Sequence, residues 1–543
     1  DLLPAEELQL HVRLITGAAL PIVAASREPE GNLILLGAEA AGRAGVTFCS
    51  EPNAWVIRRQ KDRLYLAGDD SRGPVMMTQT INNYVRRGTL FAVYDLLEKH
   101  LGVRWLWPGE LGTVTPKAAS LSLPDCDAQG KPAFLFSRFR DSTVCDHFEK
   151  PGAWSSVQSA HRFFREQARW LIRHRFSMPC TMNASHAFTG WWETYGQEHP
   201  EYFNLLPDGT RRSDPTYCDG KPQYVSLCVS NPALHRQIVE NWLAVRSPWQ
   251  PYIDADENDT CGKCVCERCL SWDVPDPDLG FPWAERVERA RKAFAAADPE
   301  WWKSLGSFSD RYARFYQAVL DEARRHDPAA KVLGLAYANF VKAPREAKVS
   351  PDVVFFVTVP QYYPFTEATR QANRQDWIRW AGAGASQVLR PNYMLEGGSM
   401  PLFLARRRGE DLKFFADNGM IGSDFDSLTG QFGAMGPTLY MTARLNDNPA
   451  LSVETVLDEY LAAFGPAAEA VRAYVGTLES VADNPPDPPL KGGGWFTYGV
   501  FGYQQFTPEV MAAAQERLDA AAAQAAGDAL AGRRVAYLAK GLR

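Results

Sequence analysis

The sequence predicts an α/β chain built around a (β/α)8 TIM-type barrel, with a small α+β domain before it and a helical region after it. Three observations carry that expectation. Eight strand-like runs alternate with helical stretches between residues 132 and 446, a spacing that indicates successive βαβ units. No Gly-rich turn joins a strand to a helix in the manner of a doubly wound nucleotide-binding sheet. The strand ends are also crowded with carboxylates, arginines and aromatic residues, and the C-terminal face of such a barrel is where its chemistry sits.

Residues 1–125 read as the α+β domain. NLILLGAEA and DRLYLAGDD are strand-like and close in turn chemistry, and Thr78–His100 carries helical periodicity with Gly102 as its stop. Within 132–446 the eight strand candidates are FLFSRFRDS, RFSMPCTMN, QYVSLCVSN, QPYIDADEN, KVLGLAYANF, VVFFVTVPQYY, QVLRPNYMLE and GMIGSDFDS. Helices are expected over 156–174, 232–245, 309–325, 367–381 and 401–418, the second with Asn231 as cap and Pro232 at its first position. Residues 447–543 are Ala-rich and helical, and DNPPDPPLKGGGW divides them as a stiff, then flexible, linker.

Composition narrows the function classes. The net charge is −6 without a basic run, which argues against nucleic acid or an anionic membrane as partner. No apolar run reaches the ~18 residues of a membrane helix, and no signal peptide stands at the start, where DLLPAEELQL reads as a mature or trimmed end. A secreted or periplasmic location is expected from the class of chemistry inferred below. Aromatic residues make up 12% of the chain, with 16 Trp. Trp191, Trp192, Trp301, Trp302 and Trp495 stand in polar or Gly-rich surroundings, where exposed rings would suit stacking on sugars.

Each strand end contributes candidate carbohydrate contacts. The first gives Arg138, Arg140 and Asp141, the second Asn183 and His186, followed by Trp191 and Trp192. The fourth gives Asp254, Asp256 and Glu257; the fifth Tyr337 and Asn339; the sixth Gln361, Tyr362 and Tyr363. The seventh gives Arg390, Asn392, Tyr393 and Glu396, and the eighth Asp424 and Asp426. Cleaving a glycosidic bond needs an acid to protonate the leaving oxygen and a second group facing the anomeric carbon. Glu257 is the expected acid, its pKa raised by the neighbouring Asp254 and Asp256 carboxylates. For the second role, two mechanisms stand open. Either Glu396 attacks as a nucleophile, or Asp256 orients the substrate's own 2-acetamido group for internal attack.

Four cysteines follow at once: Cys261, Cys264, Cys266 and Cys269. Their spacing suits a structural zinc that clips the loop, and one or two disulfides compete with it. A closed four-thiolate site leaves no open position, so a catalytic metal is not expected.

Residues 86–117, RRGTLFAVYDLLEKHLGVRWLWPGELGTVTPK, resemble the accessory domain that precedes the barrel in family 20 hexosaminidases and family 67 α-glucuronidases. The Asp256–Glu257 pair resembles the Asp–Glu pair on the fourth strand of the family 20 enzymes. HPEYFNLLPDGTRR, YVSLCVSNPALHRQIVENW, the CVCERC loop and FGAMGPTLYMTARL resemble the domain of unknown function 4838, which underlies glycoside hydrolase family 163. That resemblance implies an endo-β-N-acetylglucosaminidase acting with retention on complex N-glycans. The loop DADENDT departs from the family pattern in its extra carboxylates. An α-glucuronidase-like exo-hydrolase, with Arg138, Arg140 and Arg390 facing a uronate, and a non-catalytic carbohydrate-binding barrel are the other readings.

Overall fold

A computed structural model describes the chain apart from residues 1, 25–29, 72–84, 123–125, 141–156, 183, 185, 249, 362–364, 393–402, 427, 429, 483–503 and 543. It is a mixed α/β structure with a four-stranded sheet near the N-terminus, a six-stranded parallel sheet at the centre and helices beyond.

The first sheet is formed by β1 (Leu33–Leu36), β2 (Trp55–Gln60), β3 (Arg63–Gly68) and a fourth strand just past residue 125. Two short strands, β4 (Arg104–Trp105) and β5 (Thr113–Val114), form a hairpin, and the fourth strand of the sheet is β6 (Asp127–Gly130). The order is β1-β3-β2-β6, so this sheet runs slightly beyond the expected boundary. Helix Gly88–Asp95, buried along its whole length, packs on β2 and β3 and widens into a π turn over Leu96–His100. Of the helix expected over Thr78–His100, the described part begins at Gly88 after non-helical residues 85–87, and residues 78–84 lie outside the described ones.

The central sheet joins β7 (Phe136–Arg140), β8 (Tyr252–Asp254), β9 (Lys331–Ala336), β10 (Val353–Val357), β11 (Ser386–Leu389) and β12 (Met420–Asp426). Their order is β7-β12-β11-β10-β9-β8, every pairing parallel. The first, eighth, seventh, sixth, fifth and fourth strand candidates therefore stand side by side, as the staves of an eight-stranded barrel would. β10 is buried at every position and β9 at all but its first, as expected of parallel strands covered on both faces.

The second and third candidates do not form strands of this sheet. Residues 175–183 carry Pro179, which has no N–H to give a central ladder, and Arg175 sits at φ 57°. Among the described residues, Ser177 bonds to the sheet, its carbonyl accepting from Ser137 N at 2.9 Å, and Phe176 packs on Phe139 with ring centroids 5.9 Å apart. Residues 223–231 pair instead with the preceding loop, through Asn204 N to Ser226 O at 2.9 Å and Cys228 N to Tyr202 O at 2.8 Å.

The helices between strands match their expected places: Val157–Arg173, Pro232–Val245, Ser309–Ala323, Glu367–Gly382 and Ala405–Asp417. Asn231 caps the second, its side-chain oxygen accepting from Ala233 N at 3.0 Å, with Pro232 at the first position. The helical region after the sheet comprises Val453–Ala462, Ala468–Glu479, Pro508–Gln524 and Ala529–Leu542. The last of these crosses helix Phe432–Asp447 where Gly541 meets Gly433; a Cβ on Gly541 would stand 2.1 Å from the Gly433 carbonyl carbon, so only glycine permits the crossing. Arg534 of the same helix donates to the carbonyls of Leu111 and Thr113, both at 3.0 Å, tying it to the β4–β5 hairpin.

A buried ionic network joins the N-terminal unit to the helices of the central one. Glu98 pairs with Arg175 at 2.7 Å and with Arg444; Asp447 pairs with Arg175 at 2.9 Å; Glu459 pairs with Arg444 at 2.9 Å and Arg104 at 3.0 Å. Burial pushes Glu98 up, but Arg175 and Arg444 overcome it and hold the carboxyl at about 2.

Candidate active site

The carboxyl ends of the central strands converge on a cluster of charges. The register of β12 on β7 sets Asp424 beside Arg138 and Asp426 beside Arg140. Arg140 grips Asp424 with two nitrogens, Nε at 2.9 Å from Oδ1 and Nη2 at 2.5 Å from Oδ2, and also donates to the Ala184 carbonyl at 3.2 Å. Arg138 Nε is 4.0 Å from the same carboxylate. Arg390, just past β11, reaches Asp426 at 3.1 Å and Asn392 at 2.5 Å. Burial opposes ionisation of Asp424, but Arg140 outweighs it and keeps the carboxyl below its usual range.

Asp256 faces this cluster. It is fully buried, and neither carboxylate oxygen has a hydrogen-bond partner among the described residues. Burial, and then repulsion from Asp254, push its pKa well above the ordinary carboxylate value; Arg390 and Arg140 counter this only in part. Both causes favour the protonated form of the carboxyl. Arg390 Nε is likewise buried without a partner among the described residues.

Glu257, the next residue, points the other way. Its carboxylate accepts from Tyr312 OH at 2.7 Å and Ser226 Oγ at 3.2 Å, and Lys263 Nζ stands 4.0 Å away. All four side chains are buried. Lys263 also lies over the rings of Tyr312 and Phe340, 5.5 and 5.7 Å from their centroids. The sequence reading expects a raised carboxyl at Glu257; the structure shows Asp256 raised by burial and by Asp254. Tyr312, Ser226 and Lys263 escaped that reading. Tyr312 lies inside a helix and Lys263 inside the cysteine run, where neither forms a recognisable pattern.

Three consecutive residues at the start of helix Ser309–Ala323 fix the surrounding loops. Asp310 accepts from the backbone of Arg345, Glu346 and Ala347 at 2.9, 2.8 and 2.7 Å. Arg311 binds Asp273 with two nitrogens, at 2.7 and 2.6 Å, and donates to the Cys264 carbonyl at 2.8 Å. Tyr312 holds Glu257.

The remaining candidates are distributed around these groups. His186, at φ 36°, places Nδ1 2.9 Å from the Glu257 carbonyl, and Ala187 N donates to the Asp256 carbonyl at 3.0 Å. Tyr337 donates to Asp259 at 3.2 Å and Asn339 to the Cys261 carbonyl at 3.2 Å, so both brace the acid loop. Gln361 is buried, and its carbonyl accepts from Arg408 at 2.8 Å. Trp191 and Trp192 are half-buried against Phe188 and Phe203, with ring centroids at 5.0 and 4.9 Å. Trp301 is fully buried and donates to Asp214 at 2.7 Å, which removes it from the exposed platforms. Asp141, Asn183, Tyr362, Tyr363, Tyr393, Glu396 and Trp495 lie outside the described residues. A separate crevice of about 250 Å³, lined by Arg370, Arg406, Arg407, Glu410 and Glu479 among others, contains none of the strand-end residues.

The four-thiol group differs from the expected one. Cys228, Cys264, Cys266 and Cys269 bring their sulfurs within 4.8 Å of one another. Cys261 is not a member; its carbonyl serves Asn339 instead. Cys228 comes from the loop that pairs with residues 202–205, which is why local spacing did not reveal it.

Residues 107–476 match the family model described as domain of unknown function (DUF4838), and the chain belongs to that family. No curated protein matches the sequence. Among solved structures, a family 89 glycoside hydrolase from Clostridium perfringens in complex with 2-acetamido-1,2-dideoxynojirimycin is similar at 11% identity and a TM-score of 0.37, over 80% of this chain and 50% of that one. The Clostridium perfringens family 89 protein with its substrate GlcNAc-alpha-1,4-galactose gives 10% identity and a TM-score of 0.39, over 99% and 60%. A family 138 enzyme targeting pectin rhamnogalacturonan II gives 7% and 0.35, over 100% and 67%. The chain thus spans about half to two thirds of the length of these structures.

Proposed function

We propose that this protein is a glycoside hydrolase in which Asp256 is the acid that protonates the leaving glycosidic oxygen. The observation that carries the reading is a buried carboxyl just past the end of a parallel strand, facing Arg140 and Arg390, without a hydrogen-bond partner among the described residues and with its pKa raised by burial and Asp254. Asp256 and Asp424 sit in environments that push their pKa values apart, the arrangement that separates a proton donor from an ionised group. Asp424 keeps its charge and orients Arg140. Glu257 acts from behind, fixing the acid loop through Tyr312 and Ser226.

The sheet that supports this site is read as a (β/α)8 barrel, with residues 175–183 and 223–231 completing the ring between β7 and β8. The Ser137–Ser177 contact and the donation of Asn258 Nδ2 to the Val225 carbonyl at 2.8 Å support that placement. Residues 1–125 serve as the accessory domain and 447–543 as the helical domain.

The substrate is read as a complex glycan cut at a 2-acetamido sugar with retention, in the manner of an endo-β-N-acetylglucosaminidase. The second reacting group is then the substrate's own acetamido oxygen, or Glu396. The uronate reading is less well supported, because Arg140 and Arg390 are already engaged with Asp424 and Asp426. Digestion of a glycan library, with products read by mass spectrometry, tests the function: Asp256→Asn should leave the glycans intact while the unaltered protein cleaves them. Inhibition by a thiazoline mimic supports the acetamido route, whereas a covalent sugar adduct on Glu396 supports the nucleophile. Equal cleavage by the Asp256→Asn protein would remove Asp256 from the reaction.

A further inference from the structure

We infer that Cys228, Cys264, Cys266 and Cys269 form a tetrahedral zinc site that clamps the acid loop to the segment beneath it. Cys228 Sγ lies 3.6 Å from Cys266 Sγ and 3.9 Å from Cys269 Sγ, and all four sulfurs lie within 4.8 Å of one another. Zinc bound to thiolates at ~2.3 Å sets sulfurs at the corners of a tetrahedron whose edges are about 3.8 Å. A disulfide needs its sulfurs at ~2.05 Å, far closer than any of these pairs.

The surroundings suit thiolates. Leu205 N donates to Cys264 Sγ at 3.2 Å, Cys269 N donates to Cys266 Sγ at 3.4 Å, and the Ser230 hydroxyl lies 3.1 Å from Cys269 Sγ. The Arg311 guanidinium is anchored beside the group on the Cys264 carbonyl. Cys228, Cys264 and Cys269 are buried, so an ion there is closed to solvent and serves structure.

The position gives the site its purpose. Ser226 and Leu227, which face the Glu257 carboxylate, immediately precede Cys228, and the three other cysteines follow Glu257 on its own loop. A metal here joins the two walls of the Glu257 pocket. This holds whether or not the protein cleaves glycans.

The test is elemental analysis of the full chain purified without chelator, with thiol titration and intact mass on the same sample. One zinc per chain is expected, released when a mercurial reagent takes the thiols. Cys228→Ser should lose the zinc and several degrees of melting temperature, while Cys261→Ser should keep both. Four reactive thiols without zinc, a mass deficit of two hydrogens per bond formed, iron in place of zinc, or zinc lost from Cys261→Ser but kept in Cys228→Ser would each overturn the assignment. If Cys228→Ser fails to fold, metal content and mass of the unaltered protein still decide between zinc and disulfides.

Discussion

Two buried ionic clusters in this molecule are built from the same residue types and do opposite things. In the network around Glu98, Asp447 and Glu459, every carboxylate is matched by Arg104, Arg175 or Arg444. At the strand ends, Asp424 and Asp426 are matched, but among the described residues the Asp256 carboxylate is not. The first cluster is a joint between regions of the chain. The second leaves one buried carboxyl unpaired among the described residues, and it is there that the proposed chemistry is placed.

The sharpest way to break the comparison is to unpair the first cluster. Arg175→Met leaves Glu98 and Asp447 buried without their shared cation, and a loss of about 3–5 kcal/mol is expected in urea unfolding. The second prediction concerns Asp256→Asn, which should lower turnover by about 10²- to 10⁴-fold, the usual worth of a positioned acid. The same change should stabilise the fold. In the native state Asp256 keeps a proton that the unfolded chain has released, so stability falls as pH rises from the ordinary carboxylate value through the raised native one. Asparagine removes that fall, so the stability gap between variant and parent should widen from pH 4 toward neutrality in thermal melts at successive pH values. A constant gap would show that Asp256 is ionised in the folded protein.

A smaller effect is expected behind the site. Glu257→Gln keeps the shape but weakens the bonds to Tyr312 and Ser226, for a loss of about 1–3 kcal/mol with cleavage reduced and not abolished. Abolished cleavage here, with activity retained in Asp256→Asn, would exchange the roles of the two neighbours. Smallest of all, Tyr312→Phe removes one hydrogen bond to Glu257, about 1 kcal/mol by equilibrium unfolding.

Much of the frame was legible in the residues. VVFFV and KVLGLA read as strands because a parallel strand buried on both faces is continuously apolar, and Asn231–Pro232 announced its helix by capping chemistry. The segments at 175–183 and 223–231 misled because apolar content alone cannot show that Pro179 interrupts a ladder, or that Ser226 and Cys228 find partners in a nearer loop. In the site, the strand ends named Arg140, Arg390, Asp256 and Asp424, which the structure brings together. That Asp256 and Glu257 meet different partners was less visible, although a signal existed: consecutive residues of an extended segment face opposite sides, so only one of the pair could face the arginines. Cys228 was hidden by the 35 residues, 229–263, that separate it from Cys264.

The three residues at the start of helix Ser309–Ala323 have a consequence for how such a protein can diversify. Asp310, Arg311 and Tyr312 bind the loop after β9, the cysteine loop and the acid loop through one helical turn. A shift of that turn is felt by all three at once, so insertions and deletions in those loops are tolerated only between the tethered points. Among the described residues, the loop around Trp191 makes no hydrogen bond to the side chains of Asp310, Arg311 or Tyr312. Changes in length and sequence would accumulate on that untethered loop, while the tethered loops stay fixed.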